Sequence, residues 1–270
     1  MDRLKGKVAI VTGAARGMGA AAAQALADDG AVTIITDILE DLGNAQARAI
    51  RETGGDAHFV AHDVTDAPSW DGVVEMVLRE HGRIDCLVNN AGVSQPLTIE
   101  ETSPDQFRRT LEINLIGPFL GMKAVLPAMR LSGGGSIVNV ASNSTQLIMP
   151  ENTAYSASKA ALANLSKTTA IHCALNGDNI RVNSVHPGPH ETEMLTKPEV
   201  RALPQIKALL DAIPMGRMGR PQEFGKLVAF LASDDSSYIT AAEMFCDGGL
   251  TAICYASPLA NPDRGHQRPL

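Results

Sequence analysis

The sequence predicts an α/β fold: a single doubly wound domain whose parallel seven-stranded sheet is flanked by helices on both faces. Two observations lead there. Short, wholly apolar runs alternate with helical patterns from the first residues onward, and strands that are apolar all round must be covered on both faces. The alternation also continues without a linker to about Gly249. Residues 1–250 therefore read as one domain and 251–270, with three prolines and no periodicity, as a C-terminal tail.

Each element has its own reason. Residues 7–12 (KVAIVT) form a short run rich in β-branched side chains, the mark of a first strand. Residues 17–29 are dense in alanine, a strong helix former. Residues 31–36 (AVTIIT) give a second strand, and the polar helix 39–52 stops at Gly54-Gly55. A third strand (57–61), a third helix (67–80) and a fourth strand (84–88) follow. Helical patterns at 104–115 and 118–131 precede a strand at 136–140, and 153–175 is a long helix with many small residues. A strand at 179–185, helices at 200–213 and 221–232, and a seventh strand at 242–246 complete the order.

The chain of 270 residues is 44% hydrophobic, 20% charged and only 4% aromatic, so its core is expected to be aliphatic. A formal charge of -7 argues against a nucleic-acid partner, which needs a basic face. No run reaches about 18 unbroken apolar residues, so no membrane span is expected. The start, MDRLKGKVAIVTG, reads as a first strand and not as a signal peptide. Cys86, Cys173, Cys246 and Cys254 form no CxxC pair and read as reduced thiols of a cytoplasmic protein. The histidines show no HExxH or paired spacing, so no catalytic metal is expected.

The first strand runs into Thr12-Gly13-Ala14-Ala15-Arg16-Gly17-Met18-Gly19, where a helix opens. Glycines there allow a tight turn and close approach of backbone amides to a pyrophosphate, which also meets the positive end of the helix. Placement between strand and helix makes this a Rossmann-type nucleotide loop, spaced G-x3-G-x-G. Asp37 ends the second strand 18 residues after Gly19, close to the ~20-residue spacing of a ribose-binding carboxylate. A 2′-phosphate beside it would meet like charge, at up to ~4 kcal/mol per pair of unit charges before screening. The expected cofactor is therefore NAD. Arg16 has two readings: a cation able to reach a 2′-phosphate, or a solvated cation or partner of Asp37.

Tyr155-Ser-Ala-Ser-Lys159 puts a phenol and an ammonium one turn apart on a single helical face. A nearby ammonium favours the phenolate and lowers a pKa that is otherwise near 10.

Together with Asp63, Asn89-Asn90-Ala91-Gly92, Asn114, Ser142 and Pro187-Gly188 with Thr192, these motifs resemble the short-chain dehydrogenase/reductase family from Gly6 to about Gly249. The resemblance implies that Tyr155 is the general acid/base. Lys159 would bind the nicotinamide ribose and depress the tyrosine pKa, and Ser142 would bond the substrate oxygen. Asn114 would hold a water in a proton relay from Lys159. Gly13, Arg16, Gly17, Met18 and Gly19 would belong to the cofactor-binding loop. Asp63 and Val64 would contact adenine, and Asn90, Ala91 and Gly92 the adenosine-side ribose. Pro187 and Gly188 would lead to a clamp on the carboxamide from the His190 backbone and Thr192. Taken singly, Ser142 also reads as a loop residue, Asp63 as a helix cap competing with Asp66, and Asn114 as a helix cap or kink.

In such folds the substrate pocket comes from loops at the C-terminal edge of the sheet. Here these are Ser94-Gln95-Pro96, residues 143–152 and a flap at about 189–215. Ser142, Ser144, Gln146, Tyr155 and Met194 are the candidate substrate contacts. The Met- and Leu-rich flap suits an apolar substrate, while Lys197, Arg201 and Lys207 leave an anionic one open. The stretches RVNSVHPG, FLGMKAVLPAM and YSASKAALANLSK are similar to the branch acting on cyclic secondary alcohols and hydroxysteroids. The expected reaction is interconversion of such an alcohol and its ketone. An NADPH-dependent 3-oxoacyl-carrier-protein reductase and a non-catalytic nucleotide sensor are the alternatives. Pro189-His190-Glu191 departs from the usual apolar residues, and His190 reads as a second acid/base or as a space-filling or solvent-facing side chain. Broad faces on helices 118–131 and 153–175 predict an oligomer, which the resemblance makes a homotetramer.

Overall fold

The computed structural model describes residues 2–252. Seven parallel strands run in the order β3-β2-β1-β4-β5-β6-β7. They are β1 (Val8–Thr12), β2 (Val32–Asp37), β3 (Asp56–Ala61), β4 (Cys86–Asn89), β5 (Gly135–Val140), β6 (Ile180–Pro187) and β7 (Glu243–Cys246). The order reverses between β1 and β4, so the loops leaving these two strands open a crevice at the carboxyl edge.

Alternation along the strands sorts the core into two layers. Val11, Ile35, Val88 and Val138 face α1 (Gly17–Asp28), α2 (Glu40–Glu52) and α10 (Pro221–Ala232). Ile10, Ile34, Leu87 and Ile137 face α3 (Ala67–His81), α5 (Gly117–Leu131) and α6 (Thr153–Leu175). Trp70 and Phe224 are the largest buried rings in an otherwise aliphatic interior.

Two stretches differ from the sequence reading. The pattern at 104–115 is α4 (Pro104–Leu111) followed by a π-helical turn, Glu112–Ile116, that joins it to α5. Pro118 follows directly on that π-helical turn, where the regular helical hydrogen-bond ladder is already interrupted and its missing donor is accommodated. The flap, expected to hold one helix at 200–213, holds three short ones: α7 (Glu193–Thr196), α8 (Pro198–Arg201) and α9 (Pro204–Asp211). Pro198 and Pro204 cause the breaks, since proline lacks a donor and disfavours helix in the residue before it.

Within the helical run Pro104–Leu131 an 18-residue window reaches a mean hydropathy of 1.2, long and apolar enough to cross a bilayer by length and composition. No such span was expected from the sequence. In the fold this run packs Met122, Val125 and Met129 into the core beneath the sheet.

Candidate active site

The nucleotide loop is shaped by mutual steric demands. Gly13 and Gly17 both sit at φ 61°, where a side chain is strained. A Cβ on Gly19 would lie 2.3 Å from the Gly13 carbonyl and 2.4 Å from Asn90 Nδ2. Asn90 Nδ2 donates to the carbonyls of Thr12 and Gly13, each at 3.0 Å, and Thr12 Oγ1 accepts from the backbone amides of Asn90 and Ala91. The loops after β1 and β4 thus brace one another. Beside Gly17 a Cβ would find open space, with only Thr192 Cγ2 near, at 3.9 Å. An open, glycine-lined helix N-terminus facing Thr192 fits a dinucleotide pyrophosphate.

Asp37 turns into this loop. Its carboxylate accepts from the Ala15 amide at 3.1 Å and the Leu39 amide at 3.1 Å. Arg16 does not pair with it. The guanidinium reaches across to Glu193 of α7, at 3.4 Å, and both side chains are exposed. Asp63 accepts from the Thr65 amide and hydroxyl, which hold its pKa below the usual carboxylate range. Neither Asp63 nor Asp66 caps α3 through its side chain: Asp66 stands at the cap position without such a bond. Val64 is buried, and its carbonyl accepts from the Trp70 indole at 3.0 Å.

Four predicted catalytic residues come together past the ends of β4 and β5. Ser142 caps a single 3-10 turn, Asn143–Thr145, and its Oγ accepts from the Ser144 amide at 3.1 Å. That bond occupies a lone pair, so the hydroxyl proton is free to point at Tyr155. Burial pushes the Tyr155 phenol up, and the Ser142 hydroxyl pulls it the other way. The depression expected from Lys159 is not seen: burial and Ser142 are the influences on the phenol. The Lys159 ammonium lies 5.8 Å from the centre of the Tyr155 ring and donates to the Val140 carbonyl at 2.7 Å. Burial pushes Lys159 down to about 8.

Asn114 is fully buried in the π-helical turn. It accepts from the Val93 amide and donates to the Val93 carbonyl, both at 2.8 Å, and reaches Ser158 Oγ at 3.1 Å. Its side chain is thereby committed to the strand exit. A Cβ on Gly92 would lie 3.3 Å from both Asn114 Oδ1 and Lys159 Nζ, so the two groups flank that glycine.

The remaining positions divide. Pro187 ends β6, and Gly188 packs so tightly on Asp247 that a Cβ would sit 2.7 Å from Asp247 Cβ. His190 is buried and turned inward: Nδ1 meets the Gly188 carbonyl at 2.9 Å and Nε2 approaches Cys246 Sγ at 3.8 Å. It is space-filling, and neither faces solvent nor points toward Tyr155. The His190 carbonyl accepts from the Thr192 amide. Ser144 is buried, its hydroxyl closed off from solvent and without a hydrogen-bond partner among the described residues. Gln146 is exposed. The Met194 side chain, Cys254 and residues 253–270 of the tail lie outside the described residues. Sequence reasoning missed the Asn114–Val93 clamp, the Arg16–Glu193 pair and the environment of His186. None of these has a signal in local spacing.

Comparison with known proteins shows what the chain is similar to. A family described as Enoyl-(Acyl carrier protein) reductase matches residues 13–251. A trans-4-hydroxycyclohexanecarboxylate dehydrogenase of Sinomonas cyclohexanicum is 45% identical over 93% of this chain and 95% of its own. A cyclopentanol dehydrogenase of Comamonas sp. is 41% identical over 93% of this chain and all (100%) of its own. An NADP-dependent (R)-specific alcohol dehydrogenase of Lentilactobacillus kefiri is 36% identical over 93% and 99%. The crystal structure of a short-chain type dehydrogenase/reductase from Mycobacterium marinum superposes with a TM-score of 0.86 at 35% identity, covering 93% of this chain and 97% of that one. With these matches spanning nearly its whole length, the chain belongs to the short-chain dehydrogenase/reductase family of nicotinamide-dependent oxidoreductases.

Proposed function

We propose that the protein is an NAD(H)-dependent dehydrogenase that interconverts a secondary alcohol, cyclic or otherwise apolar, and its ketone. The observation that carries this reading is the convergence of Ser142, Tyr155 and Lys159. The Ser144 amide holds Ser142 Oγ so that its proton is available to an oxygen beside Tyr155. In oxidation, Tyr155 acts as the phenolate: its oxygen takes the alcohol proton and becomes the phenol, and Ser142 donates to the substrate oxygen as negative charge develops on it. Lys159 places a cation next to that proton transfer. Below a pKa of about 8 it remains charged even though buried. The nicotinamide, when bound, supplies the hydride acceptor or donor. Asn114 holds the Val93 backbone and so fixes the floor under Lys159.

Three features support the substrate class. Leu147 of the active-site loop packs with Leu195, Leu209 and Leu210 of the flap around Ile213 and Met218, giving an apolar wall. Lys197, Arg201 and Lys207 are all exposed, so none of them interrupts that apolar wall. Two of the relatives bear the names of cyclic-alcohol dehydrogenases. For the cofactor, the Asp37 carboxylate at the loop favours NAD. The NADP-dependent relative keeps the phosphorylated cofactor as a comparison arm.

A homo-oligomer, as a tetramer, belongs to the same proposal, supported by exposed Phe119 and Leu131 on α5 and Ile171 and Leu175 on α6. So does a cytoplasmic location, where buried thiols such as Cys86 and Cys173 stay reduced.

The test is a panel of cyclic alcohols, hydroxysteroids and acyl thioesters, each assayed with NAD and NADP. Fastest turnover is expected for a cyclic alcohol with NAD. Preference for an acyl thioester with NADPH would replace this reading with the 3-oxoacyl-carrier-protein reductase. Tyr155→Phe is expected to abolish turnover while NADH still binds. Turnover retained in that variant would remove the assigned mechanism, and wild-type protein that binds NADH but turns over nothing would point to a nucleotide sensor.

A further inference from the structure

We propose that His186 is a positioning residue that holds the Ser142 turn in register with Tyr155. The inference rests on the role proposed above for Ser142. His186 lies near the end of β6, fully buried, and its ring is tilted against Phe245 with centroids 4.6 Å apart. Its Nδ1 stands 2.9 Å from the Ser142 carbonyl, an atom that can only accept, and 3.0 Å from Thr145 Oγ1, whose own proton goes to that same carbonyl. Nδ1 therefore carries the proton. Nε2 is left as an acceptor and faces the Ser184 hydroxyl at 2.9 Å, which donates to it. Every polar atom of a neutral imidazole is thereby satisfied, and burial pushes its pKa down, consistent with the neutral form.

The charged groups that act on this ring are Glu243 of β7 and Lys167 and Lys159 of α6. The carboxylate raises the imidazole pKa and the two ammoniums lower it. Glu243 and Lys167 pair with each other at 2.5 Å, so much of their influence cancels.

The Ser142 carbonyl is an unusually well-held atom. It accepts from His186 Nδ1, from Thr145 Oγ1 at 3.0 Å and from the Thr145 amide at 3.2 Å. Its own residue has left the β5 ladder, whose last pair is Val140 with Val185. From there the Ala141 amide makes one more bond to the Val185 carbonyl. Past that point His186 is the side-chain link by which β6 still grips the chain carrying the Ser142 hydroxyl. A side chain that fixes the carbonyl also fixes the plane of the Ser142–Asn143 peptide, the one just before the Ser144 amide that bonds Ser142 Oγ, and so steadies the turn that carries both.

Isosteric substitutions separate this role from simple packing. In His186→Asn, the side-chain amide nitrogen replaces Nδ1 and still reaches the Ser142 carbonyl. In His186→Gln, it replaces Nε2 and the bond to Ser142 is lost. We expect kcat to fall about tenfold or more in His186→Gln and less than about threefold in His186→Asn, with the NAD dissociation constant unchanged in both. In a Ser142→Ala background the His186→Gln penalty should shrink to about twofold or less, because residues that act as one unit are not additive. Equal losses in the two variants, or a His186→Gln penalty that persists without the serine hydroxyl, would overturn the inference while leaving the role of Ser142 intact. A Ser142→Ala enzyme as active as wild type would instead overturn the reading on which the inference rests. Should His186→Gln not fold, Thr145→Val removes the second side-chain donor to the same carbonyl. A several-fold loss of kcat that disappears with Ser142→Ala supports the role, and no loss, or one that persists, overturns it.

Discussion

Asn114 grips Val93 by both ends of one residue, accepting from its amide and donating to its carbonyl, each at 2.8 Å. A side-chain amide does to Val93 what a neighbouring strand would do. It continues the sheet's hydrogen bonding past the end of β4, where no strand remains to supply it. The π-helical turn makes this reach possible by placing Asn114 at full burial between α4 and α5.

Asn114→Asp tests the clamp by leaving its size and removing its donor. The carboxylate still accepts from the Val93 amide but faces the Val93 carbonyl with no proton to give. Loss of a buried bond of this kind costs about 1–3 kcal/mol. Thermal unfolding should register that loss, and turnover should fall with it because Lys159 borders the same segment. A variant as stable and active as wild type would show that the Val93 contact is dispensable.

Asp37 should govern the choice between phosphorylated and unphosphorylated cofactor. Asp37→Ala removes the charge that would oppose a 2′-phosphate, and the ratio of kcat/KM for NAD over NADP should drop by about 100-fold or more. The Ala15 and Leu39 amides lose their acceptor in the same variant. NAD affinity should therefore weaken as well, measurable by fluorescence titration with NADH. An unchanged ratio would place specificity elsewhere, with Arg16 the next residue to test.

His62 should make stability depend on pH. Its Nδ1 is 2.7 Å from Ser69 Oγ, its ring stands edge-on to Trp70, and burial drives its pKa down to about 4, with Asp63 and Asp66 opposing. The folded protein thus binds the His62 proton less readily than the unfolded chain does. The associated stability is complete above pH ~6.5 and is lost as pH falls toward 4, by up to about 3 kcal/mol. Denaturant titrations at several pH values between 4 and 7.5 should show this slope in wild type and a shallower one in His62→Leu. Equal slopes would assign the acid sensitivity to other groups.

His190 should matter to the flap and not to proton transfer. It bridges to Gly219, and backbone bonds from Glu191 to Gly219 and from Gly219 to Pro189 tie the same two segments together. A Cβ at Gly219 would lie 2.6 Å from the His190 ring, so the two residues are fitted to each other. In His190→Ala both roots of the flap loosen. NADH affinity should fall about tenfold, an estimate based on losing ~1–2 kcal/mol of packing and hydrogen bonding. The pH profile of kcat should keep its shape. A change in that shape would revive a role for His190 as an acid or base.

The frame of the molecule was legible because local patterns determine it. Strand alternation and the glycine loop mark the sheet and its switch point, and the helix α6 was read to its observed ends, Thr153–Leu175. Tyr155 and Lys159 were legible because helical spacing alone puts them on one face. Other features depend on groups far apart in sequence. Asn114 and Val93 lie 21 positions apart, and His186 and Ser142 lie 44 apart. No spacing rule links such pairs. The flap is an intermediate case: 200–213 is legible as helical from its apolar residues, while the breaks fall at Pro198 and Pro204.

The bracing of the two loops at the switch point also bears on how the protein acquires its shape. Asn90 closes on Thr12 and Gly13 across 78 and 77 positions, and Gly19 has room for no side chain against that asparagine. The nucleotide cradle therefore cannot exist in the emerging N-terminal segment, glycine-rich though that segment is. It forms only when β4 has docked beside β1, a contact of high sequence separation and hence a slow one. Nucleotide added during refolding should leave the early rate unchanged and slow unfolding instead, because it grips an arrangement that appears late on the path.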